Sequence, residues 1–180
     1  TLASLSYFHN PGREPLLPWT LGQVVDRTAD VKGDNAAVVS RHQNITKTYT
    51  QLRDDVNQFA AGLVSLKLTV GSKIGMLAPN LYEWVVVQFA AAKAGLVLGT
   101  TGQPKAAQLS HFNVVNNANL NGRLFGLHEN SESICLNVPM LHCYGCVCGS
   151  LAAAIFGSTI VMPAPRFKAK AALEAIVEQR

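Results

Sequence analysis

The sequence predicts an α/β fold in which helices flank a mostly parallel sheet. Short apolar runs that suit buried strands alternate along the chain with longer segments whose apolar residues recur at helical spacing. A content of 48% hydrophobic and 14% charged residues over 180 positions is enough for a packed core. No internal repeat or low-complexity linker interrupts the pattern, so we expect a globular domain rather than a disordered segment.

The first half of the chain contains two helices that begin at threonine caps, a hairpin between them, and then a further strand and helix. These elements are a helix from Thr20 to Asp30, strands over Ala36–Ser40 and Ile45–Tyr49, a helix capped by Thr50, a strand over Lys73–Ala78 and a helix over Leu81–Ala94. Apolar residues at helical spacing predict the buried face of the helix that follows Thr50. They are Leu52, Val56, Phe59, Ala60, Leu63 and Leu66.

The second half repeats the alternation, which is why we expect a mostly parallel sheet. Its elements are a strand over Ala106–Leu109, a helix from Ser110, a strand over Ile134–Val138, an apolar helix from Gly145 to Phe156, a strand over Ser158–Met162 and a helix over Lys168–Gln179.

The candidate for chemistry is a loop that packs two glycines, two hydroxyls and one lysine into seven residues. It consists of Gly99, Thr100, Thr101, Gly102, Gln103, Pro104 and Lys105. Glycines let backbone N–H groups approach phosphate oxygens closely, hydroxyls add donors, and an ammonium group supplies a compact positive charge. The loop is not a Walker A loop, because it lacks the Gly-Lys-Ser/Thr ending. The pattern favours polyphosphate binding, with an ordinary surface turn as the alternative.

This loop resembles the signature of adenylate-forming (AMP-binding) acyl-CoA synthetases, Thr-Ser-Gly-Thr-Thr-Gly-x-Pro-Lys-Gly. The surroundings resemble that family too, and the similarity covers nearly the whole chain. The matching segments are Thr48–Leu52, Pro79–Asn80, Ala91–Gly95, Leu109–Asn113 and Pro139–Gly145. The segments Leu109–Asn117 and Ala171–Ile176 look especially similar to medium-chain members.

The resemblance implies a ligase that uses ATP and Mg²⁺ to form an acyl-adenylate, which coenzyme A then converts to a thioester. Thr100, Thr101, Gly102 and Lys105 would hold the β- and γ-phosphates. His142 and Gly145 would lie at the wall between the nucleotide and acyl pockets, although a buried histidine satisfied by backbone groups is the alternative for His142. A medium-chain fatty acid as substrate and the mitochondrial matrix as location are further implications, and the oligomeric state stays open.

The chain departs from the family in ways that bear on activity. Residues 1–98 resemble the front of the AMP-binding N-terminal domain and residues 99–180 its phosphate-loop segment, but a long segment expected between Leu98 and Gly99 is missing. Val97 and Leu98 replace hydroxyl residues, and Ala106 replaces a glycine. The family's acidic motif, C-terminal domain and catalytic lysine are absent, so we expect no catalytic residue in this chain and no ligase activity from it alone.

Charge and composition address other classes of protein. The net charge is +4, but lysines and arginines are scattered, which argues against a nucleic-acid partner. The chain begins with Thr1 and shows no signal-peptide pattern. The uncharged run from Ser133 to Pro165 raises the possibility of a membrane span, but its prolines, glycines and polar residues favour a strand, a loop and a buried helix.

Two alternatives start from other features. Cys143 and Cys146 form a C-x-x-C pair between a predicted strand and helix, which is typical of a thiol-disulfide site. With His142 and Cys148 they could instead bind zinc, or all could be buried structural cysteines. Clustering of the four cysteines, including Cys135, argues against a disulfide framework and indicates a reducing compartment. A last alternative is a non-catalytic product, inert or able to associate with a full-length synthetase through its sheet edges.

Overall fold

A computed structural model describes residues 14–99, 109–130 and 132–179. The helices are α1 (Leu21–Lys32), α2 (Tyr49–Ser65), α3 (Tyr82–Lys93), α4 (His111–Leu124), a π-helix (Tyr144–Leu151) that continues into α5 (Ala152–Phe156), and α6 (Ala169–Glu178). The strands are β1 (Ala36–Ser40), β2 (Ile45–Thr48), β3 (Lys73–Gly75), β4 (Val97–Gly99), β5 (Ser133–Cys135) and β6 (Thr159–Met162). Strands and helices alternate, as predicted.

The strands form a four-stranded sheet in the order β2-β1-β6-β5 and a separate two-stranded sheet of β3 and β4. The hairpin of β1 and β2 is antiparallel, whereas β6 is parallel to both β1 and β5, and β3 is parallel to β4. The prediction of a mostly parallel α/β fold is therefore confirmed. The strand predicted over Ala106–Leu109 falls mainly outside the described residues, and Leu109 itself lies in no strand.

Three helices begin at a residue whose side chain caps the first turn. Thr20, Thr48 and Ser110 each accept a hydrogen bond from the backbone N–H three residues later, and the side chain at that position reaches back to the cap. Thr20 was the predicted cap of α1. The predicted cap of α2, Thr50, is wrong: α2 starts two residues earlier, because Thr48 stands three residues before Gln51 and completes a capping box.

Two strands are shorter than predicted, because a strand extends only as far as its partner pairs with it. The strand predicted over Lys73–Ala78 ends at Gly75, where the three-residue register with β4 ends. The strand predicted over Ile134–Val138 is displaced to Ser133–Cys135, the stretch that pairs with β6. Phe59 and Leu66, expected on the buried face of α2, are 43% and 64% exposed, since no described element covers that side of the helix.

The core lies between the four-stranded sheet and the helices packed against it, and Tyr49 stands at its centre. Tyr49 is 1% exposed, and its hydroxyl lies 2.9 Å from the Ala153 carbonyl oxygen and 2.6 Å from that of Ser158. Burial raises the pKa of Tyr49 well above its ordinary value, so the hydroxyl stays protonated and donates. This hydrogen bond ties the start of α2 to the turn between α5 and β6.

Replacement of Tyr49 by phenylalanine is expected to lower the free energy of unfolding by about 1–2 kcal/mol, because buried carbonyl oxygens lose their donor. Urea unfolding followed by circular dichroism measures the change. Tyr144→Phe is the matched control, since Tyr144 is 51% exposed and should tolerate the change. Equal stability of the Tyr49→Phe variant and the unmodified chain would contradict this role.

The long uncharged run does not form a membrane-spanning helix. Within the described ranges, no helix combines the length and apolar character that crossing a bilayer requires. The run instead forms β5, the π-helix, α5 and β6 with their connections.

Candidate functional site

The candidate phosphate loop begins at the carboxyl end of a parallel strand. Gly99 is the last residue of β4 and pairs with Gly75 of β3. The remaining loop residues lie outside the described ranges. They are Thr100, Thr101, Gly102, Gln103, Pro104 and Lys105. Loops at the carboxyl ends of parallel strands are the usual ligand sites of α/β sheets.

The helix that follows the loop is anchored at its first turn. Ser110 Oγ accepts from the Asn113 N–H at 3.2 Å, and Asn113 Oδ1 accepts from the Ser110 N–H at 3.1 Å. His111 Nδ1 accepts from the Leu21 N–H at 3.2 Å, which joins the start of α4 to the start of α1. The described residues that flank the gap from 100 to 108 are therefore held by strand β4 on one side and by the capped helix α4 on the other.

The segment from Val138 to His142 is held in place by Asn80, which the sequence indicated only as part of the Pro79–Asn80 segment that resembles the family. Asn80 is 6% exposed. Its Nδ2 donates to the Val138 carbonyl oxygen at 2.8 Å, and its Oδ1 accepts from the Met140 N–H at 2.8 Å. Its own N–H donates to the Pro165 carbonyl oxygen at 3.0 Å. Asn80 thus clamps this segment, here called the His142 loop, to the connection after β6.

Gly145 closes the other end of the His142 loop, and here only glycine fits. A Cβ atom at this position would lie 2.9 Å from Met140 Cα and closer still to the Pro139 carbonyl oxygen. Both are backbone atoms, so neither can rotate away. Gly145 therefore lets the first turn of the π-helix rest directly on the loop.

His142 is exposed and its ring faces the start of the π-helix. Its Nδ1 accepts from the Tyr144 N–H at 3.1 Å and lies 3.7 Å from Cys143 Sγ. Because Nδ1 accepts, the neutral imidazole carries its proton on Nε2. The alternative of a buried histidine is wrong, because His142 is exposed. Its Nδ1 does accept a hydrogen bond from the backbone.

The helix predicted from Gly145 begins as a π-helix, and polar side chains stabilise it. Gln88 Nε2 donates to the Cys146 carbonyl oxygen at 3.0 Å. Ser150 Oγ lies 2.9 Å from the same oxygen and 2.7 Å from Gln88 Oε1. These groups satisfy a carbonyl that a regular α-helix would pair with the Ser150 N–H, and widened turns of this kind recur at functional sites.

Cys146 and Cys148 of this helix do not have the lowered pKa of an activated thiol. All four cysteines of the chain are free. Burial, followed by the neighbouring Cys143, raises the pKa of the Cys146 thiol to about 11, and the same causes raise the pKa of Cys148. Reactive thiols need a lowered pKa. Across the described residues, no group of three His, Cys, Asp or Glu side chains is arranged to hold a metal ion. Neither the redox nor the zinc alternative gains support.

Thiol labelling with a maleimide near pH 8 tests these differences in exposure and pKa among the cysteines. We expect Cys143, which is exposed, to react at least about tenfold faster than Cys146, whose raised pKa leaves few thiolates. Denaturation should bring all the cysteines to similar rates. The Cys143→Ser variant provides the control, because a fast phase that persists in it would assign the reactive thiol elsewhere.

Comparison with known proteins shows which family this chain belongs to. The family model described as AMP-binding enzyme matches residues 25–98 and 99–180. The mitochondrial medium-chain acyl-CoA ligase ACSF2 of Homo sapiens is 24% identical over 295 residues, covering 99% of this chain and 48% of that protein. The acyl-CoA ligase cnsG of Penicillium expansum is 35% identical over 180 residues, covering 89% of this chain and 37% of that protein. The chain spans about half the length, or less, of these relatives.

The matches differ in length from this chain. The match to the human ligase extends over 115 residues more than this chain has (295 less 180). The family-model match is divided between residues 98 and 99. The match to the fungal ligase is shorter, at 180 residues.

Solved structures show the same fold. The N-terminal domain of FACL13 from Mycobacterium tuberculosis superposes with a TM-score of 0.74 at 17% identity, covering 89% of this chain and 61% of that one. ATP-bound MatB from Rhodopseudomonas palustris gives a TM-score of 0.75 at 14% identity, covering 88% and 48%. At these identities the likeness establishes the fold alone. Together with the family-model match, which extends over most of the sequence, it shows that this chain belongs to the AMP-binding enzyme family.

Proposed function

We propose that this chain forms the front part of an ATP-dependent fatty-acid–CoA ligase. The observation that carries the proposal is the family-model match across residues 25–98 and 99–180, together with relatives named as acyl-CoA ligases. In the reaction, a carboxylate oxygen attacks the α-phosphorus of ATP and pyrophosphate leaves. The thiol of coenzyme A then attacks the acyl carbon of the adenylate, releasing AMP and forming the thioester.

The loop from Gly99 to Lys105 is proposed to bind the β- and γ-phosphates of Mg²⁺-bound ATP. Support comes from its composition and from its position after β4, which ends at Gly99. Backbone N–H groups, the hydroxyls of Thr100 and Thr101, and the Lys105 ammonium group would stabilise the charge that develops on the departing pyrophosphate. The magnesium ion enters with the nucleotide as part of the substrate.

The His142 loop is proposed to separate the nucleotide from the acyl pocket. Its support is the rigid attachment to Asn80 and Gly145, which fixes the imidazole near a constant position. A fixed wall is what a two-step reaction needs, because both the carboxylate and the adenylate must occupy the same point. His142 donates from Nε2 when neutral, so it offers a hydrogen bond and no fixed charge.

Several finer proposals rest on the relatives' names. The mammalian relatives are mitochondrial medium-chain ligases, and on that ground we propose a medium-chain fatty acid as the substrate and the mitochondrial matrix as the location. Residues 1–98 and 99–180 are proposed to be the two parts of one AMP-binding domain, joined without the long segment. Because the 180-residue chain spans about half the length, or less, of the relatives that it matches, we propose that it forms no acyl-CoA by itself.

Binding and turnover by the purified chain test these proposals. We expect no octanoyl-CoA from octanoate, MgATP and coenzyme A, and weak MgATP binding by calorimetry that Lys105→Ala reduces by about tenfold, as for loss of a charge-assisted contact. Lys170→Ala is the matched control, because Lys170 is 89% exposed on α6. Turnover by the chain alone, or binding indifferent to Lys105, would contradict the assignment.

The natural protein decides whether the family activity operates. An antibody raised against residues 31–42 would isolate it for intact mass measurement and for the same octanoyl-CoA assay. A mass several times 19.3 kDa with turnover supports a complete ligase. A mass near 19.3 kDa, with a peptide that crosses Leu98 and Gly99, would remove catalysis from this protein.

A further inference from the structure

The two-stranded sheet of β3 and β4 is incomplete within the described part of the chain. Each strand has three residues, and the pair is parallel. Parallel strands normally occur in larger sheets that are covered on both faces, and a two-stranded ribbon alone is marginally stable in water. Among the described residues, the outer edges of β3 and β4 have no neighbouring strand. The structure therefore retains a sheet nucleus that ordinarily requires further strands.

The outer edge of β4 offers free backbone groups at one identifiable residue. The Val97 N–H donates to the Ser72 carbonyl oxygen at 2.9 Å, so the backbone groups of Val97 face β3. Successive residues of a parallel strand direct their backbone groups to opposite sides. The N–H and carbonyl of Leu98 consequently face away from β3, toward the open edge.

Apolar side chains around this sheet are left uncovered. Val70 is 86% exposed, Leu77 is 81% exposed and Val97 is 50% exposed. Val70 precedes β3 and contacts the position of Gly95 just before β4, while Leu77 follows β3 by two residues. We call β3, β4 and these three residues the β4 edge surface. Exposed apolar residues around an unpaired edge mark a binding surface.

A groove of about 570 Å³ lies between α2 and α3, and its lining is mainly apolar. Helix α3 also packs against β4. The apolar lining residues are Phe59, Gly62, Leu63, Leu66, Val86 and Val87. A strand added parallel to β4 needs a crossover connection, usually a helix, and a groove of this kind fits the apolar side of one.

We propose that the β4 edge surface binds, in trans, the segment by which the matched region of the ACSF2 ligases exceeds this chain. We name this segment as the single occupant for two reasons. The family match breaks beside Leu98, and the human ligase holds 115 more residues within the matched region (295 less 180). The proposed partner is thus an ACSF2-type ligase, and a strand of that segment would add to β4 through the backbone groups of Leu98. This inference goes beyond ligase chemistry and stands whether or not the chain binds ATP.

The test mixes the purified 180-residue chain with a fusion of maltose-binding protein to the human ligase residues that align between Leu98 and Gly99. We expect a saturable complex by calorimetry and slowed hydrogen exchange of the Leu98 amide. Leu98→Pro removes the donor at the open edge while leaving the Val97 bond to β3, and should weaken binding by at least about tenfold. Leu124→Ser changes an apolar residue that is 80% exposed on α4, and should leave binding unchanged.

Three results would overturn the proposal. They are absence of a complex with the fusion, unchanged affinity of the Leu98→Pro variant, and protection of Leu98 that arises from self-association of the chain without the fusion. If Leu98→Pro fails to fold by circular dichroism, Leu77→Glu replaces it, because a buried carboxylate should block an apolar contact. Hydrogen exchange of the unmodified chain then still reports the edge directly.

Discussion

Replacement of Asn80 by alanine is expected to lower the free energy of unfolding by about 3 kcal/mol, since it leaves buried backbone groups unpaired on the His142 loop. The Met140 N–H loses its acceptor and the Val138 carbonyl oxygen its donor, each from a hydrogen bond of 2.8 Å. Urea unfolding measures the loss. Hydrogen exchange should show faster exchange at the Met140 amide than at amides of α1.

Graded substitutions separate the two hydrogen bonds. Asn80→Asp keeps an acceptor for Met140 and loses the donor to Val138, so it should lie between the unmodified chain and Asn80→Ala. Asn117→Ala provides the control, because Asn117 is exposed on α4. If Asn80→Ala matched the stability of Asn117→Ala, the clamp would have no energetic weight and another residue would hold the loop.

Replacement of Gly145 by alanine is expected to destabilise the chain by about 2 kcal/mol or more, because overpacking against backbone forces the chain to move. The new methyl group would lie 2.9 Å from Met140 Cα and even nearer to the Pro139 carbonyl oxygen. The His142 loop and the first turn of the π-helix must separate to accommodate it. Denaturant unfolding gives the stability change, and hydrogen exchange locates it.

Gly62→Ala is the matched control for Gly145→Ala, and we expect it to change the free energy of unfolding in the opposite direction. A Cβ atom at Gly62, inside α2, meets nothing within 4 Å. Gly62→Ala should therefore raise the free energy of unfolding by about 0.5–1 kcal/mol through helix propensity. A destabilising effect of similar size at both positions would show that the close approach at Gly145 does not limit stability.

The Asn80→Ala and Gly145→Ala substitutions also bear on the proposed function, because both act on the segment that carries His142. In a complete ligase, a displaced His142 loop should impair adenylate formation more than MgATP binding, since the phosphates are proposed to bind to the Gly99–Lys105 loop. A variant of either residue that lost MgATP affinity and kept normal adenylate formation would argue against the assignment of the two loops.

Local sequence patterns were sufficient for most of the fold. The hairpin, the caps at Thr20 and Ser110 and the alternation of strands and helices depend on residues a few positions apart, and the structure confirms them. The correct cap of α2 was also readable, because Thr48 and Gln51 have capping-box spacing. A hydroxyl near a predicted strand end, such as that of Thr50, is by itself weak evidence for a cap.

Strand lengths, the exposure of some apolar side chains and the π-helix depend on contacts with residues that are distant along the chain, and the sequence does not identify those contacts. The length of β3 follows from its register with β4, and the exposure of Phe59 and Leu66 follows from what does and does not cover α2. The π-helix depends on Gln88, which is 58 residues from Cys146 along the chain. Helical periodicity at Gly145–Phe156 predicts a helix there but cannot distinguish its hydrogen-bond spacing.

The sequence by itself determined the fold class, the caps at Thr20 and Ser110 and the resemblance to the AMP-binding family, because each depends on side chains close together along the chain. Only the tertiary structure decided how His142 is held. Asn80 reaches Val138 and Met140 across 58 and 60 residues, and Gly145 meets the Pro139 backbone only after the chain has folded back. Hydrogen bonds and close contacts between such distant residues leave no periodic pattern in the sequence, and the same holds for the open edge at Leu98.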